Sequence, residues 1–457
     1  MFKKKLFLAA VLSTLLACNS QAEVIHSTWV GGERGHWSDY TKWDPAIIPF
    51  NTASQQFFVT IDSNSIGPEG VEIFLDCSGC IPPGPGNVVV SQVDCYGKVE
   101  LTGSELTLVD PNGLRNHGCL KLELKSWGNV QNSPRGLLLA DPMEAHAGNL
   151  LNEAGAQIQV EGSESLDVYE GSIQNFGAIL VIPNGEIWAE YKLENSGLIE
   201  MYDGECLADQ VLHNQTPGII RGYGAMHSDQ LINNAGCIQS LGGSLLLHSR
   251  AGFEHPYTPN WGVINTGRLV NSPGTSLTVV VWVPDVNNQG RIEVNADGSV
   301  VFDCNLNNEP NAAISIKGGT LAAKTIRQAA GAKFEGFGSI TTACVTIEPN
   351  TPSEPNSIIR LTGPTNIVGD VNISKGATLE ISDGTTLVTG HCTCTEGTIH
   401  MIGGAIILQG GFTNNNCRVI WEPGLYTNVA DFNVDGKVNL KDFAYFADTW
   451  LWQTAWH

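Results

Sequence analysis

Positive charge, long apolar runs and helical periodicity are all scarce in this chain. Lysine and arginine number 24 against 46 aspartates and glutamates in 457 residues, a formal net charge of −22. That balance argues against a partner recognised by neutralising a phosphate backbone, and against an anionic lipid surface. Beyond the N-terminal segment no run reaches the roughly 18 apolar residues a helix needs to cross a bilayer, so no membrane span is expected. From about residue 145 to 415, apolar residues hardly ever recur at three- and four-residue steps, which excludes a helical bundle as the body. A Ser-His-Asp order, a phosphate loop and a dinucleotide fingerprint are missing as well.

The N-terminus carries what little basic clustering there is. Lys3, Lys4 and Lys5 precede an apolar run from Leu6 to Leu16, and Ser20-Gln21-Ala22 fits a signal-peptidase site. Residues 1–22 are therefore expected to be a signal peptide, which places the mature protein outside a bacterial cell or on its surface. Leu15-Leu16-Ala17-Cys18 reads alternatively as a lipobox that would anchor the chain through a lipid on Cys18; simple secretion is the preferred reading. Removal of the three lysines takes the formal charge from −22 to −25.

Twelve cysteines become eleven after either processing event, and an odd number cannot all pair internally. Cys77-Ser-Gly-Cys80 and His391-Cys392-Thr-Cys394 look like metal half-sites, but neither has a second pair at finger-like spacing, so disulfides or buried thiols are the expectation. In a strand Cys392 and Cys394 would share a face, an awkward geometry for a bond to each other.

What the body does have is a loose repeat: an apolar residue, Asn, one or two residues, Gly, then alternating Ile or Leu. Its copies are Asn152-Glu-Ala-Gly155, Asn175-Phe-Gly177, Asn195-Ser-Gly197, Asn234-Ala-Gly236 and Asn265-Thr-Gly267, with Asn214-Gln-Thr-Pro-Gly218 a looser one. The asparagines fall 23, 20, 19, 20 and 31 residues apart. A period near 20 points to a solenoid whose coils bury their apolar sides only by stacking. Short strands with turns such as Asn184-Gly185 and Asp383-Gly384 make it all-β, a right-handed parallel β-helix. Stacked asparagines would hydrogen-bond along it, and glycines would supply left-handed turns. Asp285-Val-Asn287-Asn-Gln-Gly290 resembles a calcium loop at its start but has Gln289 and Ala296 at ligand positions, and is expected to be a turn.

Ahead of the repeat, Trp29, Trp37 and Trp43 with Pro49 resemble the opening of large bacterial surface β-helix proteins, in which an aromatic segment caps the first coil. Cap packing is expected of these tryptophans rather than a sugar platform. The organisation expected is signal peptide 1–22, cap and irregular coils 23–144, regular coils 145–420, and a separate segment 427–457.

That last segment holds the most specific motif. Residues 431–442 read Asp-Phe-Asn-Val-Asp-Gly-Lys-Val-Asn-Leu-Lys-Asp, with oxygen donors at loop positions 1, 3, 5, 9 and 12 and glycine at 6, the spacing of a calcium loop. Asp431, Asn433, Asp435, Asn439 and Asp442 would ligate Ca2+ through side chains, Asn439 directly or through a water, and Lys437 through its carbonyl. Leu440, Phe443, Phe446, Ala447, Trp450 and Leu451 then recur at helical steps, giving a short C-terminal helix. The segment resembles one type I dockerin repeat. The resemblance implies calcium-dependent docking onto a cohesin-like or surface scaffold partner, usually to gather polysaccharide-degrading proteins. It covers about 22 residues; dockerins carry two repeats where one is present here, and Leu440 and Lys441 replace the Ser or Thr common in cohesin-binding loops.

β-Helices also host polysaccharide lyases and glycoside hydrolases, an analogy of fold only. The best local candidates are Glu186, Glu200 and Glu205, within an acidic run (Glu190, Glu194, Asp203) interleaved with Trp188, Tyr191 and Tyr202. Glu186 and Glu205, one coil apart, would stack on one face. Arg221 and Arg268 are the candidate lyase bases. The bland reading of the run is a solvated acidic face. A structural, adhesive or glycan-binding solenoid with a calcium-binding tail is therefore the leading expectation, and a polysaccharide lyase or hydrolase the alternative.

Overall fold

The structure is a computed structural model that describes residues 22–422, apart from 53, 77–86, 111, 147, 163, 250–261, 282–284 and 350–356. The signal segment, the Cys77–Cys80 pair and the calcium loop with its helix lie outside the described residues. The described elements are strands and two single-turn 3-10 helices, Tyr40–Lys42 and Ser63–Ser65. The chain forms two compact units, Met1–Ser228 and Asp229–His457, and in each the strands stack coil on coil in parallel.

In the first unit a typical coil consists of Ala178–Val181, Glu186–Ala189 and Lys192–Asn195. Each strand pairs in parallel with its counterpart one coil earlier, Gln157–Val160, Ser165–Tyr169 and Ser172–Asn175. Each also pairs with the coil after, through Leu198–Ala208 and Val211–Asn214. A coil thus has three faces. Strict alternation turns Ile179, Val181, Ile187, Ala189 and Leu193 into the bore, all fully buried, and leaves Glu186, Trp188, Lys192 and Glu194 pointing outward. No coil could bury its inner side alone, so stacking is what makes the core.

The second unit repeats the plan. Arg291–Asn295, Ser299–Phe302 and Asn305–Asn308 lie between Arg268–Asn271, Ser276–Val281 and Asp285–Asn288 on one side and Ala313–Ala322 and Thr325–Gln328 on the other. The expected turn at Asp285 is thus a strand. Its acidic and amide residues resemble a loop in one dimension, but Val286 and Asn288 face inward and are fully buried.

The repeated asparagines form buried amide ladders. In the first unit Asn116 Nδ2 donates to Asn132 Oδ1, and the relay continues through Asn152, Asn175, Asn195 and Asn214 at 2.7–2.9 Å. In the second it runs from Asn234 through Asn265, Asn288 and Asn308 to Gln328 at 2.7–2.8 Å. Most Nδ2 groups also reach the carbonyl of the residue that opens a strand in a neighbouring coil, as Asn152 does to Ala178 and Asn175 to Leu198, both at 3.0 Å. The interior members of each ladder use both the nitrogen and the oxygen of the amide, which offsets the penalty of burying them.

Where a glycine stands two residues after the asparagine, its role is not the left-handed turn expected of it. Gly177, Gly197 and Gly267 do not adopt left-handed φ. A β-carbon on Gly197 would instead collide with the carbonyl oxygen of Gly177, and one on Gly267 with that of Gly236. Close approach of successive coils at this corner, rather than turn conformation, demands glycine. Left-handed geometry is found at Gly155 (φ 83°), in the longer Asn152 copy of the repeat, and at other turns such as Asn184 (φ 65°).

At the start of the first unit Trp29, Trp37 and Trp43 are buried to 2% exposure or less. They meet edge to face, with centroids 5.0 Å (Trp29–Trp43) and 4.7 Å (Trp37–Trp43) apart. Their indole N–H groups donate to the carbonyls of Gly32, Pro49 and Trp37. This is packing, not a sugar platform. In the second unit Cys394 is bonded to Cys417, 23 residues on, while Cys392, facing the bore, is a free thiol that burial pushes up to about 12.

Candidate functional site

The first unit presents one flank on which acids and aromatic rings come together. Parallel register places Glu186 between Ser165 of the preceding coil and Glu205 of the following one. The neighbouring outward column reads Asp167, Trp188, Leu207 and His227. Ser165 Oγ donates to Asp167 Oδ2 at 3.0 Å, and Trp188 Nε1 to Asp209 Oδ1 at 2.7 Å, which fixes the indole in plane. Tyr169 meets Trp188 edge to face at 4.6 Å. His227 Nε2 lies 4.0 Å from Glu205 Oε2.

The electrostatics of this flank are uneven. Burial, then the charges of Asp167 and Glu205, raise Glu186 above the ordinary carboxylate range. Adjacent strands are about 4.8 Å apart, so a stacked pair of glutamates shares like charge at close quarters.

The remaining acids of the run do not join it. Glu200 sits in the first half of Leu198–Ala208, in register with Leu180 and Arg221, on another face. Its Oε1 accepts from Arg221 Nε at 3.0 Å, and Tyr202 hydrogen-bonds it as well. Glu194 is on the third face, where it accepts from Gln174 at 3.3 Å. Glu190 caps the Glu170 N–H at 2.7 Å. A register shift between Tyr202 and Gly204, with Asp203 at φ 60°, separates the two halves of the long strand. So Glu186 and Glu205 are brought together, and Glu200 is not. Arg221 and Arg268, the candidate bases, are each engaged by a carboxylate, Glu200 and Glu293.

Around the corner from Trp188 lies an open depression of about 530 Å³, bordered by Asn149, Ser172, Gln174, Tyr191, Lys192 and Gln210. Its amides, hydroxyl and ammonium offer hydrogen bonds beside the half-exposed Tyr191 ring. Sequence reasoning missed this hollow because its residues come from four successive coils. Only the 20-residue period, applied to outward rather than inward positions, could have aligned Ser172 with Lys192.

The calcium residues Asp431, Asn433, Asp435, Lys437, Asn439 and Asp442 fall outside the described residues. Among the described residues no group of three or more His, Cys, Asp or Glu side chains is placed to hold a metal ion, and no helix is long and apolar enough to cross a membrane. Compared with protein-family models, curated proteins and solved structures, the chain matches none.

Proposed function

We propose that this protein is an extracellular parallel β-solenoid that binds glycan along its first-unit flank and is attached to a partner or surface scaffold by its dockerin-like calcium segment. The observation that carries the reading is the Tyr169–Trp188 ring pair set beside Glu186 and Glu205, next to a shallow polar hollow. An indole held in plane by Asp209 offers an apolar face to a sugar ring, and the carboxylates accept from its hydroxyls. A rigid ladder behind them keeps these groups in place without a ligand. Calcium would gather Asp431, Asp435 and Asp442, which otherwise repel one another, and so order the tail around Phe446 and Trp450.

Retention of the full chain on immobilised plant, algal and bacterial polysaccharides tests the glycan half. Trp188→Ala should weaken retention about tenfold, in line with the loss of one stacking residue; unchanged retention on every matrix would sink it. Calorimetry with Ca2+ on the chelator-treated chain tests the other half, with Asp435→Ala expected to abolish one binding event.

A second reading, a lyase or hydrolase, is supported by Glu186 itself. A carboxyl whose proton affinity is raised by burial and two neighbouring charges, with a second carboxylate one rung away, has the features of a general-acid pair. Reducing-end or unsaturated products that vanish with Glu186→Gln would favour it over binding alone.

A further inference from the structure

Ion pairs on both units mostly match one cation to one carboxylate, as in Arg115–Asp94, Arg221–Glu200 and Arg360–Glu380. One place on the second unit breaks that pattern. Glu293 alone takes Arg268 (2.7 Å), Arg291 (3.1 Å) and Lys317 (3.5 Å). Its side chain is 9% exposed, whereas the three cations are 54%, 49% and 52% exposed. The carboxylate is beneath and the positive charge faces solvent.

Register extends the patch. Arg268, Arg291, Ala313 and Lys333 occupy one outward column on successive rungs. The next column carries Val270, Glu293, Ser315 and Glu335. Four cations against Glu293 and Glu335 leave two positive charges unmatched, on a chain whose formal total is −22. Arg268 and Arg291 stack directly and share the Oε1 of Glu293, so one negative charge is divided among three cations. At Ala313 the column holds only a methyl group. A recess therefore lies between Arg291 and Lys333, which are two rungs, or about 9–10 Å, apart.

We propose that this surface binds an acidic polysaccharide, the recess taking a sulfate or carboxylate oxyanion between Arg291 and Lys333 while Arg268 meets the next one along the chain. Arginine forks recognise such oxyanions in two-point fashion. A sugar polymer laid along the column meets one rung for each ring or so. Duplex nucleic acid, with a charge about every 1.7 Å, presents far more charge than two surplus cations match, and the acidic remainder of the protein repels it. The inference rests on the glycan-binding reading but uses a different unit and different residues.

The test is binding of the full chain, chelator-treated, to dextran sulfate, polygalacturonate, neutral dextran and a single-stranded oligonucleotide at low salt. Expected is binding to one or both acidic glycans that falls steeply as salt rises, and none to neutral dextran. Arg291→Glu should weaken it tenfold or more, and Glu293→Gln should tighten it several-fold. Lys333 is exposed and forms no ion pair among the described residues, so Lys333→Glu should fold normally and weaken binding about as much as Arg291→Glu. Dextran sulfate against polygalacturonate separates sulfate from carboxylate recognition. Equal binding to neutral dextran, unchanged affinity in Lys333→Glu, or tighter binding of the oligonucleotide than of either acidic glycan would each overturn the proposal. Retention lost with Trp188→Ala but kept with Lys333→Glu would sink this site and leave the first-unit reading standing; the reverse would do the opposite.

Discussion

Glu186 and Glu205 stand opposite each other on adjacent parallel strands, although 18 residues separate them in the chain. Burial, and then the charges of Asp167 and Glu205, raise the proton affinity of Glu186 on folding, so folding favours its protonated form. The mutual repulsion is fully present above the raised value and disappears as pH falls through the ordinary carboxylate range near 4.3. Glu186→Gln should therefore melt higher than the parent at pH 7, with the difference closing towards about pH 4. Paired thermal melts across that range check it, and a difference independent of pH would refute the stacking argument.

Asn175 lies within a buried relay: it accepts from Asn152 and donates to Asn195 and Leu198. Asn175→Leu should lower unfolding free energy by about 2–3 kcal/mol, because it removes one of the two bonds of the Asn152 Nδ2 and the ladder donor to the Asn195 Oδ1. Gln174→Ala, one residue away on the solvent side, should change it by less than about 0.5 kcal/mol. Chemical denaturation of the two variants gives the comparison.

Gly197→Ala should destabilise by about 1–3 kcal/mol, since the added methyl meets the Gly177 carbonyl in the next coil and the backbone must shift. Gly155→Ala has open space around it but φ +83°, so its penalty is purely conformational, about 1–2 kcal/mol. Amide exchange should separate them, with the Gly197 variant loosening both coils and the Gly155 variant only its own turn.

Reduction of Cys394–Cys417 opens a link across 23 residues near the end of the described strands, for which loop entropy predicts a loss of about 3 kcal/mol. Cys417→Ser should raise amide exchange in Arg418–Glu422, the strand paired with Thr398–Ile402. Exchange in Glu186–Ala189 of the first unit should stay as it was.

The sequence made the architecture legible because solenoid coils repeat their inward chemistry. Asn152, Asn175, Asn195 and Asn214 could be aligned by eye, and the structure puts all four in one buried ladder. Asn116 and Asn288 belong to the ladders too, and their Asn116-His-Gly118 and Asn288-Gln-Gly290 spacing matches the other copies, whereas Asn132 and Asn308 carry no Asn-x-Gly. Asn288 was hidden inside an apparent failed calcium loop, where a search for oxygen donors outweighed the period. The stacking of Glu186 on Glu205 followed from coil length alone. The removal of Glu200 to another face did not, because it depends on a local register shift at Tyr202–Gly204 that composition does not encode. The Glu293 cluster escaped notice because its cations lie 24 or 25 residues away or beside it, and only register reveals that three of them share one acid.

Within its ladder each asparagine bonds only the neighbouring amides, whether the partners are 16 residues apart in the chain, as Asn116 and Asn132 are, or 31, as Asn234 and Asn265 are. Such a body is modular at the level of the gene. A whole turn can be duplicated or deleted, or an extra loop spliced outward, and the neighbouring amides close ranks across the seam. Evolution can tune the length of this protein in discrete increments, leaving its grip on either end untouched.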